Sequence, residues 1–245
     1  MWNIRKWVAA VAVVTVLLSL NACGGTENEM KNAVSPSDRT TESQAAIVED
    51  ALVLDEAPTA GQHITFGSYE QDGNAENGAE PIAWHVLSVK DDKALLLADK
   101  ILDCQPFHHE GFVSVEWETC SLRTWLNTDF YEAAFSADEQ AKILDTERDT
   151  FSDKVFLLNK PQAKKLFAAK ADRKGFPTEY ALQQGVLQNE NGTCMWWIDS
   201  YGNYPYRVDY ISRGGGINEY GARAHDDWVG VRPAVRVKWK VSPDA

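Results

Sequence analysis

A chain cannot build a core where it lacks large apolar side chains, and this one confines nearly all of its aromatic residues to one block. Of its 26 Trp, Tyr and Phe residues, 24 lie between positions 61 and 245, and none lies between 24 and 60. The folded unit is therefore expected over residues 61–245. A unit of that size buries about 70% of its unfolded surface and stands without help from disulfides or metals. Residues 23–60 read as a disordered acidic tether, because eight acidic and two basic side chains follow Cys23 there with no aromatic among them. Such a composition cannot bury enough apolar surface to offset the entropy of ordering. As a flexible coil it spans about 33 Å root-mean-square.

Residues 1–22 carry a different pattern. Arg5 and Lys6 precede an apolar run from Val8 to Leu20, and Leu20-Asn21-Ala22-Cys23 closes it. A charged start, a short apolar stretch and small residues at its end mark a secretory signal peptide. The run is shorter than the roughly 20 residues that span a bilayer. Cys23 after Leu-Asn-Ala resembles the lipobox of bacterial lipoproteins. That resemblance implies acylation of the Cys23 thiol, removal of residues 1–22 and a protein anchored by lipid to the cell membrane or outer envelope, facing away from the cytoplasm. An uncleaved anchor helix is the competing reading, and it places the rest of the chain outside the cytoplasm as well.

The net charge of −12 excludes nucleic acid as an expected partner, since phosphate binding needs a basic footprint. Within 61–245 the pattern predicts strands, then short helices, then strands. Ile64-Thr65-Phe66 and Ile82 to Val89 alternate, and Ala94 to Ala98 reads as a strand buried on both faces. Leu122, Trp125, Leu126, Phe130, Ala133 and Ala134 share one helical face, and Ser136 with Glu139 forms a capping box for a helix through Leu144. Asn159, Pro161 and Gln162 open another helix after a strand at Val155–Leu158. Met195–Ile198, Arg207–Ser212 and Val229–Trp239 read as strands, with Pro233 marking an edge or a bulge. The expected fold class is a single compact α+β domain.

Catalytic signatures are absent: no Gly-x-Ser-x-Gly, no phosphate loop and no His-Glu-x-x-His occurs. His63, His85, His108, His109 and His225 are scattered without metal-ligand spacing, and Asp72 to Glu76 lacks the glycine and the distal glutamate of a calcium loop. No cofactor and no metal are expected. Among the cysteines after Cys23, Cys104 and Cys120 are the preferred disulfide pair, leaving Cys194 over. Closing a loop of about 15 residues contributes roughly 3 kcal/mol in the chain-entropy model. Three reduced buried thiols are the alternative. The stretch Cys194–Arg207 holds five aromatics. Trp196 and Trp197 face opposite sides of a strand, so one serves the core and Trp197, with Tyr204 and Tyr206, is the candidate ligand-binding set. Both tryptophans filling two layers of core is the competing reading.

Several phrases in order complete the picture: Phe66-Gly67-Ser68-Tyr69-Glu70-Gln71, Pro81 to Leu87, Ser121-Leu122-Arg123-Thr124-Trp125-Leu126-Asn127, Phe156-Leu157-Leu158, Pro177 to Ala181, Trp196-Trp197 and Gly230-Val231-Arg232-Pro233-Ala234. Together they resemble a bacterial domain of unknown function, DUF6273, over most of residues 61–240. The family implies no catalytic residue. More loosely, the order of elements is similar to C-type-lectin-like domains, including formylglycine-generating enzymes. Those enzymes use a late cysteine pair, whereas only Cys194 lies in that region here. The expected function is an extracytoplasmic binding module for a glycan or surface protein. The alternatives are an enzyme of the formylglycine-generating superfold with an unrecognised site, or a structural lipoprotein without a ligand.

Overall fold

A computed structural model describes residues 58–239 together with the short strand Leu52–Val53. Cys23 and residues 1–22 lie outside the described residues. The strands are β1 (Leu52–Val53), β2 (His63–Tyr69), β3 (Glu80–Lys90), β4 (Lys93–Ala98), β5 (Asp103–Cys104), β6 (Thr146–Glu147), β7 (Ser152–Asp153) and β8 (Val155–Phe156). They continue as β9 (Trp196–Tyr201), β10 (Arg207–Ile211), β11 (Ile217–Arg223), β12 (Gly230–Val231) and β13 (Ala234–Lys238). The helices are short: α1 (Ser121–Trp125), α2 (Tyr131–Ala134), α3 (Ala137–Gln140), α4 (Lys160–Lys165) and α5 (Glu179–Gln183). The fold class is α+β, with strands, then helices, then strands, in the order expected. Among the described residues no helix is long and apolar enough to cross a membrane.

Two sheets share the work. The first runs β1-β2-β3-β4-β13-β8 and the second β11-β10-β9-β12-β5, with β6 and β7 as a separate ribbon. Strand alternation sends Ile64, Phe66, Ile82, Trp84 and Val86 into the core. The opposite face of β2 and β3 carries His63, Thr65, Ala83 and His85 in register. β4 is buried on both faces, from Ala94 to Ala98, as its continuous apolar run predicts. β2 bends at Gly67, where φ is +71° and a Cβ would lie 2.6 Å from the Ala134 carbonyl oxygen. Only glycine fits that conformation and that space. β1 is an addition to the sequence reading: Leu52-Val53, assigned to the tether, pairs in parallel with Ile64-Thr65. An apolar, partly β-branched pair beside an open sheet edge satisfies backbone donors there.

The helical middle follows its caps. Leu122, Leu126, Phe130 and Ala134 recur every four residues and are all buried, while Ala133 faces solvent. Leu126–Phe130 forms a π-helical turn between α1 and α2. Ser136 donates its backbone N–H to Glu139 Oε2 at 2.8 Å, the reciprocal half of the expected capping box. The helix it opens ends at Gln140, short of Leu144, because Leu144 N donates instead to the Arg236 carbonyl on β13. Asn159 Oδ1 accepts from Gln162 N at 2.9 Å and starts α4 as expected.

The expected single strand over Val229–Trp239 is two. β12 belongs to the second sheet, between β9 and β5, and β13 to the first, between β4 and β8. Pro233 sits at the switch, where it has no donor to contribute and its carbonyl accepts from Ala98 N at 2.9 Å. Gly230 permits this crossing, since a Cβ there would lie 2.4 Å from Ile101 Cγ2.

Candidate functional site

At the free edge of the second sheet, aromatic rings gather on the surface. β10 and β11 form an antiparallel hairpin in which Arg207 pairs with Arg223 and Val208 with Ala222. The connection from β9 to β10 carries Tyr204 and Tyr206, whose rings stack at 5.7 Å and 19°. Tyr220 on β11 meets Tyr204 edge-on at 6.3 Å. Phe112, from the loop before the 3-10 turn Trp117–Thr119, lies 5.6 Å from Tyr206 and 5.0 Å from His225. Phe112 is 65% exposed and Tyr204 and Tyr220 about half, an unusual outlay of ring surface in water. Phe112 also holds a φ of +62°, a left-handed conformation that bulky side chains avoid.

Arginines frame the rings. The guanidinium of Arg207 lies 4.5 Å from the Tyr220 ring centre and donates to the Gly221 carbonyl at 2.6 Å. Arg223 stands over Phe112 at 5.5 Å. Asn218 Oδ1 accepts from the backbone N–H groups of Tyr220 and Gly221. The face therefore alternates rings with planar polar groups, which together offer apolar stacking and directional hydrogen bonds.

Of the three expected ligand residues, Tyr204 and Tyr206 lie on this face and Trp197 does not. Trp197 is fully buried, donates its indole N–H to the Gln105 carbonyl at 3.0 Å and packs edge-on against Phe107 at 5.9 Å. Trp196 is also fully buried and donates to the Arg173 carbonyl at 2.9 Å. Both faces of β9 are covered, so alternation places one indole in each of two core layers. Tyr220, Phe112, Arg207 and Arg223 escaped the sequence reading. The alternating Ile217–Arg223 run after Gly214-Gly215-Gly216 is the signal for a hairpin strand bearing Tyr220, whereas nothing local marks Phe112.

The cysteines are separate thiols rather than a pair. Cys104 Sγ sits 3.2 Å from the Asp227 carbonyl, and Cys120 Sγ accepts from Arg123 N at the start of α1. Their elements part them: Cys104 is held in β5 against β12, and Cys120 caps a helix. Burial pushes the thiols of Cys104 and Cys120 up to about 12 and that of Cys194 to about 11. Thiolate is scarce at neutral pH in such sites, so none of the three is an activated nucleophile. Glu70, Asp72 and Glu80 bring carboxylate oxygens within 4.8 Å of one another. Their oxygens accept backbone N–H groups of the same loop, Gly73 and Asn74 to Glu70 and Gln71 to Glu80. This is a loop tied to itself.

A family model described as a domain of unknown function (DUF6273) matches residues 91–239. The chain belongs to that family. No curated protein and no solved structure matches it. The match starts after the β2–β3 hairpin, so the phrases around Gly67 and Trp84 lie before the matched DUF6273 span.

Most residues of the DUF6273 phrases have structural duties. Arg123 Nε meets Asp153 Oδ1 at 2.5 Å, and the same carboxylate accepts the Trp117 indole N–H at 2.8 Å. Asn127 holds β8 through Lys154 N, Val155 N and the Val155 carbonyl. Thr178 Oγ1 caps α5 by accepting from Ala181 N. Arg232 is different: alternation along Val229–Trp239 puts it opposite the valines, yet it is only 4% exposed. The switch of sheets at Pro233 carries it inward, and one of its donors finds no partner.

Proposed function

We propose that this DUF6273 protein is an extracytoplasmic lipoprotein that binds glycans through the Tyr204–Tyr206–Tyr220–Phe112 face. The observation that carries the reading is the set of half-exposed rings framed by Arg207 and Arg223. Sugar rings present apolar C–H faces bordered by hydroxyls, which suits rings interleaved with planar donors. A domain tethered to lipid through Cys23 and residues 24–60 presents such a face to envelope or extracellular material. Two or three acyl chains on one cysteine hold firmly, because each buried CH₂ contributes about 0.8 kcal/mol.

Two measurements test the two halves. Cys23→Ala should move the protein from the membrane to the soluble fraction, and the wild type should carry the mass of attached acyl chains. Unchanged membrane fractionation without that mass removes the anchor. On a glycan array, the protein should bind a limited set of glycans, and Tyr204→Ala with Tyr220→Ala should weaken binding about tenfold or more while the melting temperature stays within a few degrees. A blank array, or an undiminished signal from the double variant, removes the glycan reading.

A further inference from the structure

Two of the points where the chain passes between sheets, β4 to β5 and β12 to β13, lie side by side. After β4, Asp99 N donates to the Ala83 carbonyl at 2.9 Å and Leu102 N to the Val231 carbonyl at 3.0 Å. Between these crossings and the segment around residues 172–192 opens a cleft of about 770 Å³. Ligand sites commonly enclose about 300–1,000 Å³. His63 and His85, cross-strand partners on the face of β2 and β3 turned away from the core, line one wall and stack at 5.1 Å and 9°. His63 Nδ1 is 2.5 Å from Asp99 Oδ2.

Arg232 lines the same cleft. Its Nε donates to the Ala98 carbonyl at 2.7 Å and its guanidinium lies 5.3 Å from the Trp196 ring centre, while Nη1 has no hydrogen-bond partner. No carboxylate among the described residues forms an ion pair with it. A buried cation short of partners is strongly unfavourable unless something supplies the missing acceptor. Of the acids of the cleft, Asp99 is hydrogen-bonded to His63 and acts on Arg232 only through its field, and Asp172 accepts from Ala169 N.

We propose that this cleft binds the carboxylate of a small organic acid, with Arg232 as its anchor. A guanidinium presents paired donors that match a planar carboxylate. Asp99, Asp172 and Glu179 share the walls and oppose a doubly charged phosphate. Phe176, Pro81 and Leu182 offer apolar wall to the body of the acid. The cleft is a surface apart from the tyrosine face, and the proposal goes beyond glycan binding.

The test uses the full-length protein in detergent with phenylacetate and hexanoate as probes, phenylacetamide and inorganic phosphate as controls, and saturation-transfer NMR as readout. The two carboxylates should bind saturably and compete with each other, and the amide and phosphate should bind at least tenfold more weakly. Arg232→Met should weaken carboxylate binding about tenfold to a hundredfold. Ala83→Trp fills the cleft from β3 and should abolish binding even if Arg232→Met fails to fold. Tyr204→Ala with Tyr220→Ala should leave it unchanged, which separates this site from the glycan face. Absent carboxylate binding, equal binding of amide or phosphate, or undiminished binding by Ala83→Trp or by folded Arg232→Met overturns the proposal.

Discussion

Trp197→Ala should cost the domain about 3–5 kcal/mol, the range for truncating a buried tryptophan. Trp197 is fully buried, packs on Phe107 and holds the Gln105 carbonyl, so the substitution leaves a large void and an acceptor without its donor. Domains are stable by only about 5–15 kcal/mol, so this loss takes a large share of the total. Urea unfolding followed by tyrosine and tryptophan fluorescence measures it. A change below about 1 kcal/mol would mean that Trp197 is not the buried residue described. The same experiment separates core from surface, because Tyr204→Ala should cost much less.

Asp153→Ala should be comparably damaging, by about 3–5 kcal/mol, through charge rather than volume. The Asp153 side chain has no solvent exposure and serves three partners: Arg123 at 2.5 Å, the Trp117 indole at 2.8 Å and Arg148 at 3.6 Å. Arg123 is itself about four-fifths buried, lies 4.2 Å over the Phe151 ring and donates to the Glu118 and Ser152 carbonyls. Removing the carboxylate strands one cation in a poor solvent and leaves an indole N–H unpaired. Asp153→Asn keeps an acceptor for Trp117 and should lose less than Asp153→Ala. Equal losses from the two would assign the effect to packing, and no loss from either would discard the network as a source of stability. Chemical denaturation of both variants beside the wild type decides.

Local chemistry was the legible part of this chain. Ser136 with Glu139 and Asn159 with Gln162 announce helix starts because a cap satisfies backbone donors within four residues. The alternation of β3 and the unbroken apolar run of β4 likewise state how many faces each strand buries. What escaped depends on partners distant in sequence. Trp197 alternates with Trp196 on any strand, and only the elements packed on both sides of β9 make both indoles core residues. Cys104 and Cys120 close a loop of favourable length, yet their directions are set by β12 and by α1. Arg232 falls on the polar side of an apparent strand, and the break at Pro233 turns it inward. Phe112 joins Tyr206 across 94 residues of chain, a separation that no periodicity reports.

Residues 230–238 follow every other described strand in the chain and yet occupy interior places in both sheets. A growing polypeptide leaving the ribosome amino end first therefore holds two half-finished sheets, each with a slot that residues 230–238 fill. Until that segment arrives, β4 and β9 each present an unpaired flank. Such late closure favours a chain whose two sheets stay open until residues 230–238 are made and are then sealed in one concerted step.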